Sequence, residues 1–422
     1  MIQNSATGTD GVRTLDWILD IALDAGSQVL QNGGETYRTE ETMTSIASSL
    51  GARDASAFVT PTVAMLTCVD QQHRSHTRIQ RISQRTINLG RIARINELSR
   101  RLAARGTAAN LAQAEALLLR IKNAPVHHPL GVVVATAVSS FCFSLLFNGS
   151  LKEALVALAV GGLMRLVLFL TGSLGLSSFI NTVTGGLVIS FLSGLAVLAG
   201  LLPSAGTVSI AVLMSLVPGL AIVNAIRDII AGDLVAGSAR VLDAFVIAAA
   251  LSIGTAAGLL VLPAGAADTA ALAVRTALAP AALLAFCATA AFAWFFYISR
   301  YDILWSSLCG AAGWIVFLLA THGAGSATGG FVAGALCVGL LAEFCAVVFR
   351  KPATIYIVPG IIPLVPGGGM YDTMLMAVWG RMDAAAAAGF RTLSAAAAVA
   401  VGIAVASSVA RLAGKIRTRI RS

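Results

Sequence analysis

Three ionisable side chains stand inside stretches of this chain that are otherwise almost wholly apolar: Asp372, Glu343 and Arg165. A charge in a bilayer interior is expensive, so such residues face protein or a water-filled cavity and mark pathways for ions or substrates. Asp372 and Glu343 have the chemistry to carry a proton. Arg165 has the chemistry to attract an anion, or to snorkel toward the surface. Asp372 follows Tyr371 at the end of IYIVPGIIPLVPGGGMYD (Ile355–Asp372), where three prolines and four glycines interrupt an apolar run. Proline removes a backbone donor and clashes with the preceding turn. The freed carbonyls are then satisfied by protein or water, since lipid offers them nothing.

The interruption occurs twice. SLVPGLAIVNAIRD (Ser215–Asp228) carries Pro218-Gly219, followed by Asn224, Arg227 and Asp228. The second stretch carries Pro359-Gly360, Pro363 and Pro366-Gly367, followed by Tyr371 and Asp372. TGGLVISFLSGL (Thr184–Leu195) precedes the first break and TGGFVAGALCVGL (Thr328–Leu340) precedes the second. The order TGG then LVPG is therefore duplicated. Broken helices in matching positions of two halves point to a binding site at the membrane midplane. The half-helix starts expose N–H groups and a positive dipole end suited to a carboxylate. The candidate site is thus Pro218, Gly219, Asn224, Arg227, Asp228, Pro363, Pro366, Gly367, Tyr371 and Asp372, with Arg165 and Glu343 as further charges. Two plainer readings stand beside it: Asp372 as an N-cap of the second half-helix, and Arg227-Asp228 as an ordinary solvated pair.

The elements that must position these residues follow from hydropathy. Only 12% of the residues are charged and mean hydropathy is +0.83, against about 25% charged in a soluble domain. Residues 1–129 hold 14 of the 29 Lys/Arg and 11 of the 20 Asp/Glu. Beyond them lie ten apolar segments: 131–148, 153–171, 179–202, 206–231, 239–262, 279–298, 303–321, 326–349, 354–379 and 391–413. Each is near the ~20 residues that span a ~30 Å hydrocarbon core. The breaks fall on segments 4 and 9, so the repeat is five segments long and the second copy inserts inverted. With both termini inside, the inner loops and tail carry ten basic residues, Arg227, Arg240, Arg300, Arg350, Lys351, Arg411, Lys415, Arg417, Arg419 and Arg421. The outer side carries four, Lys152, Arg275, Arg381 and Arg391. This bias predicts cytoplasmic termini. The basic tail suits anionic inner-leaflet lipid.

The expected fold is mainly α: a polytopic membrane protein of about ten transmembrane helices in two inverted five-helix repeats, preceded by a small cytoplasmic α/β domain. The expected domains are 1–129, 130–265 and 266–422, with Pro125 and Pro129 at the first hinge and Pro263-Ala264-Gly265 at the second. Gly254 and Gly258, and Gly330 and Gly334, have the spacing of close helix packing, which also leaves room for a homo-oligomer. No cleavable signal peptide is expected, since Asp10, Asp16, Asp20 and Asp24 break up the first thirty residues.

In the N-terminal part, Asp16–Gly34 and Thr36–Gly51 read as helices, Phe58–Val69 as a strand and Ser75–Ser83 as its partner. Asn88–Arg105 and Ala108–Lys122 read as two more helices. Residues 74–105 carry nine arginines and one acid, Glu97; without an aromatic platform this suits phospholipid rather than nucleic acid. Glu35, Glu40 and Glu41 with His73 and His76 are the residues a hydrolytic site would draw on. No P-loop, nucleophile elbow or zinc motif accompanies them. The six cysteines form no CxxC pair and read as small buried hydrophobes. His127-His128 lacks acidic or thiol neighbours, so neither a metal nor a cofactor is expected.

ALDAGSQVLQNGGETYRTEETMTSIASSLG resembles the start of the bacterial threonine/serine exporter family, with Ala25-Gly26, Leu30, Gly33 or Gly34, Glu35, Thr36, Glu40 and Gly51 filling its pattern. INLGRIARINELSRRLAARG and AEALLLRIKNAP look like its next helical pair. The LVPG of segment 4 and the PxxPxVPG of segment 9 look like the marks of its two membrane modules, here fused. The resemblance implies a bacterial inner-membrane exporter of threonine and serine drawing on the proton gradient. In two-chain relatives it implies a C4 dicarboxylate such as succinate instead. It also carries the suggestion that the N-terminal module is hydrolase-like. A membrane-anchored hydrolase acting through residues 1–129, a channel and a non-transporting scaffold are the rival classes. The bilayer, a small solute and protons are the expected partners.

Overall fold

The computed structural model describes residues 6–70, 73–83, 86–106, 110–124, 128–260 and 276–421. The hinge residue Pro125, His127, the turn at 263–265 and Arg275 lie outside the described residues, as do the side chains of Lys415, Arg417, Arg419 and Arg421. The chain divides into two compact units, residues 1–126 with 231–239, and residues 127–230 with 240–422.

The first unit pairs two helices with a small sheet. α1 (Ala6–Gln31) and α2 (Thr36–Ser49) pack against each other. A Cβ on Gly26 would lie 2.1 Å from the Met43 side chain, so the glycine lets the helices approach. Gly33 ends the connection at φ +94, a left-handed conformation that glycine adopts without strain. The sheet is an antiparallel meander of β1 (Arg53–Thr60), β2 (Val63–Val69) and β3 (Ser75–Arg81). The single strand expected over Phe58–Val69 is instead a hairpin turning at Pro61-Thr62, where proline has no N–H for the ladder. β2 alternates, burying Ala64, Leu66 and Cys68, the period-2 pattern of a sheet with one core face. α3 (Leu89–Arg105) and α4 (Leu111–Lys122) complete the unit. Leu19, Met43, Ile46, Leu66, Leu89, Ile95 and Leu118 are fully buried and form its core.

The second unit is helical. α5 (Pro129–Leu146), α6 (Leu151–Ser173), α7 (Ser178–Leu198), α10 (Leu234–Leu260), α11 (Leu278–Phe295), α12 (Arg300–Ala324), α13 (Ala327–Phe349) and α16 (Met382–Arg421) include eight stretches long and apolar enough to cross a membrane among the described residues. α10 begins within the 231–239 stretch of the first unit. A bent pair, α14 (Thr354–Gly360) with α15 (Gly367–Val378), makes a ninth if taken as one span. The expected span at 206–231 is two short helices, α8 (Gly206–Leu213) and α9 (Gly219–Ala231). Pro218 cannot continue the hydrogen-bond ladder, so residues 214–218 leave the helix. All ten apolar segments are thus helical, but only eight are long unbroken helices.

Small residues set the close contacts. A Cβ on Gly254 would lie 2.0 Å from the Val183 carbonyl, and one on Gly258 would lie 2.1 Å from Ser190 Oγ, so α10 presses on α7. Gly330 and Gly334 press α13 on α12 in the same way, at 2.1 Å from Thr321 Oγ1 and 2.8 Å from the Gly313 carbonyl. The packing glycines read from the sequence sit at these crossings. All six cysteines are free thiols, four of them buried.

Candidate functional site

Segment 354–379 breaks where its prolines stand. α14 contains Pro359 and ends at Gly360; a 3-10 turn, Ile362–Leu364, follows; Val365 is extended and Pro366 precedes α15. The two halves are bent by 50°. No side chain caps α15, and Gly368 and Gly369 of its first turn line a cavity of about 260 Å³. Asp372 lines the same cavity from the next turn. Because α15 already starts at Gly367, Asp372 is not its N-cap. Pro363 and Pro366 shape the wall beside it.

The rest of the wall comes from neighbouring helices. Trp314 and Phe317 of α12 stack at 5.0 Å between ring centroids, and Phe317 meets Phe331 of α13 at 4.7 Å. Arg391 and Thr392 of α16 line the same cavity as Asp372. Arg391 acts electrostatically on Asp372, yet the two form no ion pair among the described residues. The Trp314 indole N–H is buried and has no hydrogen-bond partner among them.

The first break packs against the second. A Cβ on Gly219 would lie 1.9 Å from Val365 Cγ1, and one on Gly367 would lie 2.3 Å from Met214 Sδ. Each break glycine thus receives a side chain from the other break. Tyr371 is buried beside Ser209 of α8. The elements also correspond: α8, residues 214–218 and α9 match α14, residues 361–366 and α15 in order and similar length. Superposing the two LVPG stretches places Asn224 and Asp372 each five residues past the glycine.

The other predicted site residues lie elsewhere. Arg165 of α6 rests its guanidinium on Phe295 at 4.6 Å and Phe169 at 5.4 Å, a cation–π setting. Glu343 of α13 accepts a hydrogen bond from Ser407 Oγ of α16 at 2.8 Å. Asp228 is buried and pairs with Arg240 at 2.9 Å, so it is not half of a solvated pair with Arg227, itself half-buried. None of these, nor Asn224, lines the cavity.

Two groups escaped the sequence reading. The sequence sets Arg391 on the outer side at the start of segment 391–413; α16 begins earlier, at Met382, and carries it in the third turn, and the alanine run at 384–388 is the signal, since alanine is the best helix former. The second group surrounds Asp302, which is buried at the start of α12. Ser299 Oγ and Lys351 Nζ each donate to its Oδ2 at 2.6 Å, and the Tyr356 hydroxyl donates to its Oδ1 at 2.8 Å. This cluster ties α14 to α12. Ser299-x-x-Asp302 ahead of an apolar run had the look of a capping box.

In the first unit, Glu40 and His76, two of the residues a hydrolytic site would draw on, have structural partners. Glu40 accepts the Val59 N–H at 2.9 Å, and Thr36 Oγ1 donates to Asp233 Oδ2 at 2.9 Å. Burial raises the Glu40 pKa, Asp233 adds to the rise, and the Val59 N–H opposes it. Burial disfavours charge on Arg38, but Glu35, Tyr37 and Glu41 outweigh it and raise its pKa. His76 Nε2 lies 3.1 Å from Asp70 Oδ2, which also takes the Arg74 Nε–H at 2.9 Å. No cluster of His, Cys, Asp or Glu suited to a metal occurs among the described residues.

Multiple apolar helices, a broken pair and a cavity on the break define a multi-pass membrane protein. Comparison with known proteins narrows this. The family model ThrE, described as "Putative threonine/serine exporter", matches residues 20–262, and a second model, ThrE_2, described as "Threonine/Serine exporter, ThrE", matches residues 281–409. The chain belongs to the threonine/serine exporter family and is a membrane exporter. A Mycobacterium tuberculosis protein named "Probable threonine/serine exporter" is 24% identical over 379 residues, which cover 85% of this chain and 70% of that protein. A Klebsiella aerogenes protein named "Probable succinate transporter subunit YjjP" is 23% identical over 240 residues, covering 56% of this chain and 90% of that protein. No solved structure matches the chain.

Proposed function

We propose that this protein is a bacterial inner-membrane secondary exporter of small polar amino acids, threonine and serine first, driven by the proton gradient. The observation that carries this reading is the cavity of about 260 Å³ built on the second break, with Asp372 at its wall. That volume has room for a small polar solute. Irregular backbone at membrane depth is tolerated where it lines such a cavity. The second break carries the solute site and the first break packs behind it. Alternating access then moves the two broken segments against one another, and Asp372 takes and releases the coupling proton.

The matching order of elements supports two inverted repeats, 130–265 and 266–422, behind a cytoplasmic domain of residues 1–129, with both termini inside. Export of a C4 dicarboxylate is the second reading, favoured by the succinate-transporter relative. The test uses purified full-length protein in liposomes loaded separately with labelled threonine, serine and succinate. A pH gradient is imposed and efflux followed, with Asp372→Asn alongside. Gradient-driven efflux of threonine or serine, lost in Asp372→Asn, is the expected result. Efflux of none of the three solutes by the wild type refutes the assigned substrates.

A further inference from the structure

The cavity holds one carboxylate and one guanidinium, from different helices, that the protein does not pair with each other. Asp372 comes from α15 and Arg391 from α16, and both line the same space. Opposite charges within reach of each other form bidentate pairs. Lining one cavity without pairing, these two are complementary to a solute that carries both an ammonium and a carboxylate. A third group points the same way. Trp314 lines the cavity, is 3% exposed, and its indole N–H finds no acceptor among the described residues. An indole nitrogen is a donor only, and a buried donor without a partner calls for an acceptor from elsewhere.

We infer that Arg391 binds the α-carboxylate of a zwitterionic amino acid while Asp372 binds its α-ammonium, and that this charge pair is what selects an amino acid over a dicarboxylate. The inference rests on the exporter reading above and deepens it. Threonine and succinate each have eight non-hydrogen atoms, so a cavity of about 260 Å³ does not separate them by size. Charge does. Succinate offers Asp372 a second carboxylate where threonine offers an ammonium. In this assignment the buried Trp314 N–H donates to an oxygen of the solute, the hydroxyl or the carboxylate. Arg391 thereby becomes a specificity residue, although it stands outside the broken segments themselves.

The test measures binding to the full-length protein in lipid nanodiscs with four probes: threonine, threonine amide, 2,3-dihydroxybutyrate and succinate. The second lacks the carboxylate and the third lacks the ammonium. Wild type is expected to bind threonine at least tenfold tighter than each of the others. Arg391→Gln should erase the preference for threonine over its amide, and Arg391→Lys should restore part of it. Asp372→Asn should erase the preference for threonine over dihydroxybutyrate. Each readout is a ratio within one variant, so it is independent of how much of the variant is folded. If the wild type binds threonine and Arg391→Gln keeps the wild-type ratio to the amide, the inference is overturned while the exporter reading stands. If wild type binds succinate more tightly than threonine, the charge argument is wrong and the dicarboxylate reading replaces it. If wild type binds none of the probes, the assigned substrates fail and the inference fails with them.

Discussion

Tyr356→Phe removes one buried hydroxyl and changes nothing else in shape. Tyr356 is 0% exposed and its hydroxyl donates to Asp302 Oδ1 at 2.8 Å. Asp302 is itself 4% exposed, so water does not readily replace the lost donor. A hydrogen bond to a charged group is worth about 1.5–3 kcal/mol in soluble proteins. Polar contacts within membrane bundles measure lower, about 0.6 kcal/mol on average and up to about 1.7. Asp302 keeps two other partners, Ser299 and Lys351, on its second oxygen. The expected loss is therefore about 1–2 kcal/mol, or roughly 2–3 °C in Tm for a unit of this size. Thermal unfolding in nanodiscs reads it, with Asp302→Asn and the double variant closing a cycle. On the Asp302→Asn background the hydroxyl faces a neutral acceptor, so the loss should be about half. A shift below about 1 °C on both backgrounds would refute the claim that this hydroxyl anchors α14 to α12.

Two further expectations follow from the packing and the charges. Gly219→Ala places a Cβ 1.9 Å from Val365 Cγ1, an overpacking worth about 1–3 kcal/mol; liposome efflux should fall at least tenfold. Val365→Ala removes the offending methyl groups, so the double variant should recover efflux; no recovery would mean the breaks do not meet as described. Glu40→Gln keeps an acceptor for the Val59 N–H while removing a carboxyl whose pKa burial and Asp233 raise. An acid with a raised folded pKa favours folding at low pH and loses that contribution as pH rises through the folded value. Glu40→Gln should therefore stabilise the protein at pH 8 and leave it unchanged near pH 4, where Glu40 is largely protonated in both states. Protease resistance across that pH range checks the sign, and a destabilised variant at pH 8 would reverse it.

The parts of the fold legible in the sequence are those governed by local rules. Runs of apolar residues located every helix of the membrane unit, because lipid satisfies no backbone group and only helices bury their own. Pro218, Pro363 and Pro366 located the breaks, because proline acts on its own turn. Gly254 and Gly330 were readable as packing sites, because closeness of approach depends on the side chain at the contact. The hairpin at Pro61 was missed because β-branched residues flank it on both sides and mask the turn.

Which charge faces the cavity was not legible. Asp372, Glu343 and Arg165 look alike as lone ionisable residues in apolar runs, and only the first lines the cavity. Glu343 is taken up by Ser407 and Arg165 by two phenyl rings. Rotation of a helix about its axis is set by the neighbours it packs on, and those neighbours are remote in sequence. Arg391 is the clearest case: by itself it is one basic residue at the edge of an apolar run. It meets Asp372 only because α16 starts nine residues earlier and packs along α15. The sequence alone determined that this chain lies in a membrane, where its helices run and where two of them break. Tertiary packing decided that the breaks meet, and that a carboxylate and a guanidinium share one space, since opposed charges converge only when distant segments fold against each other.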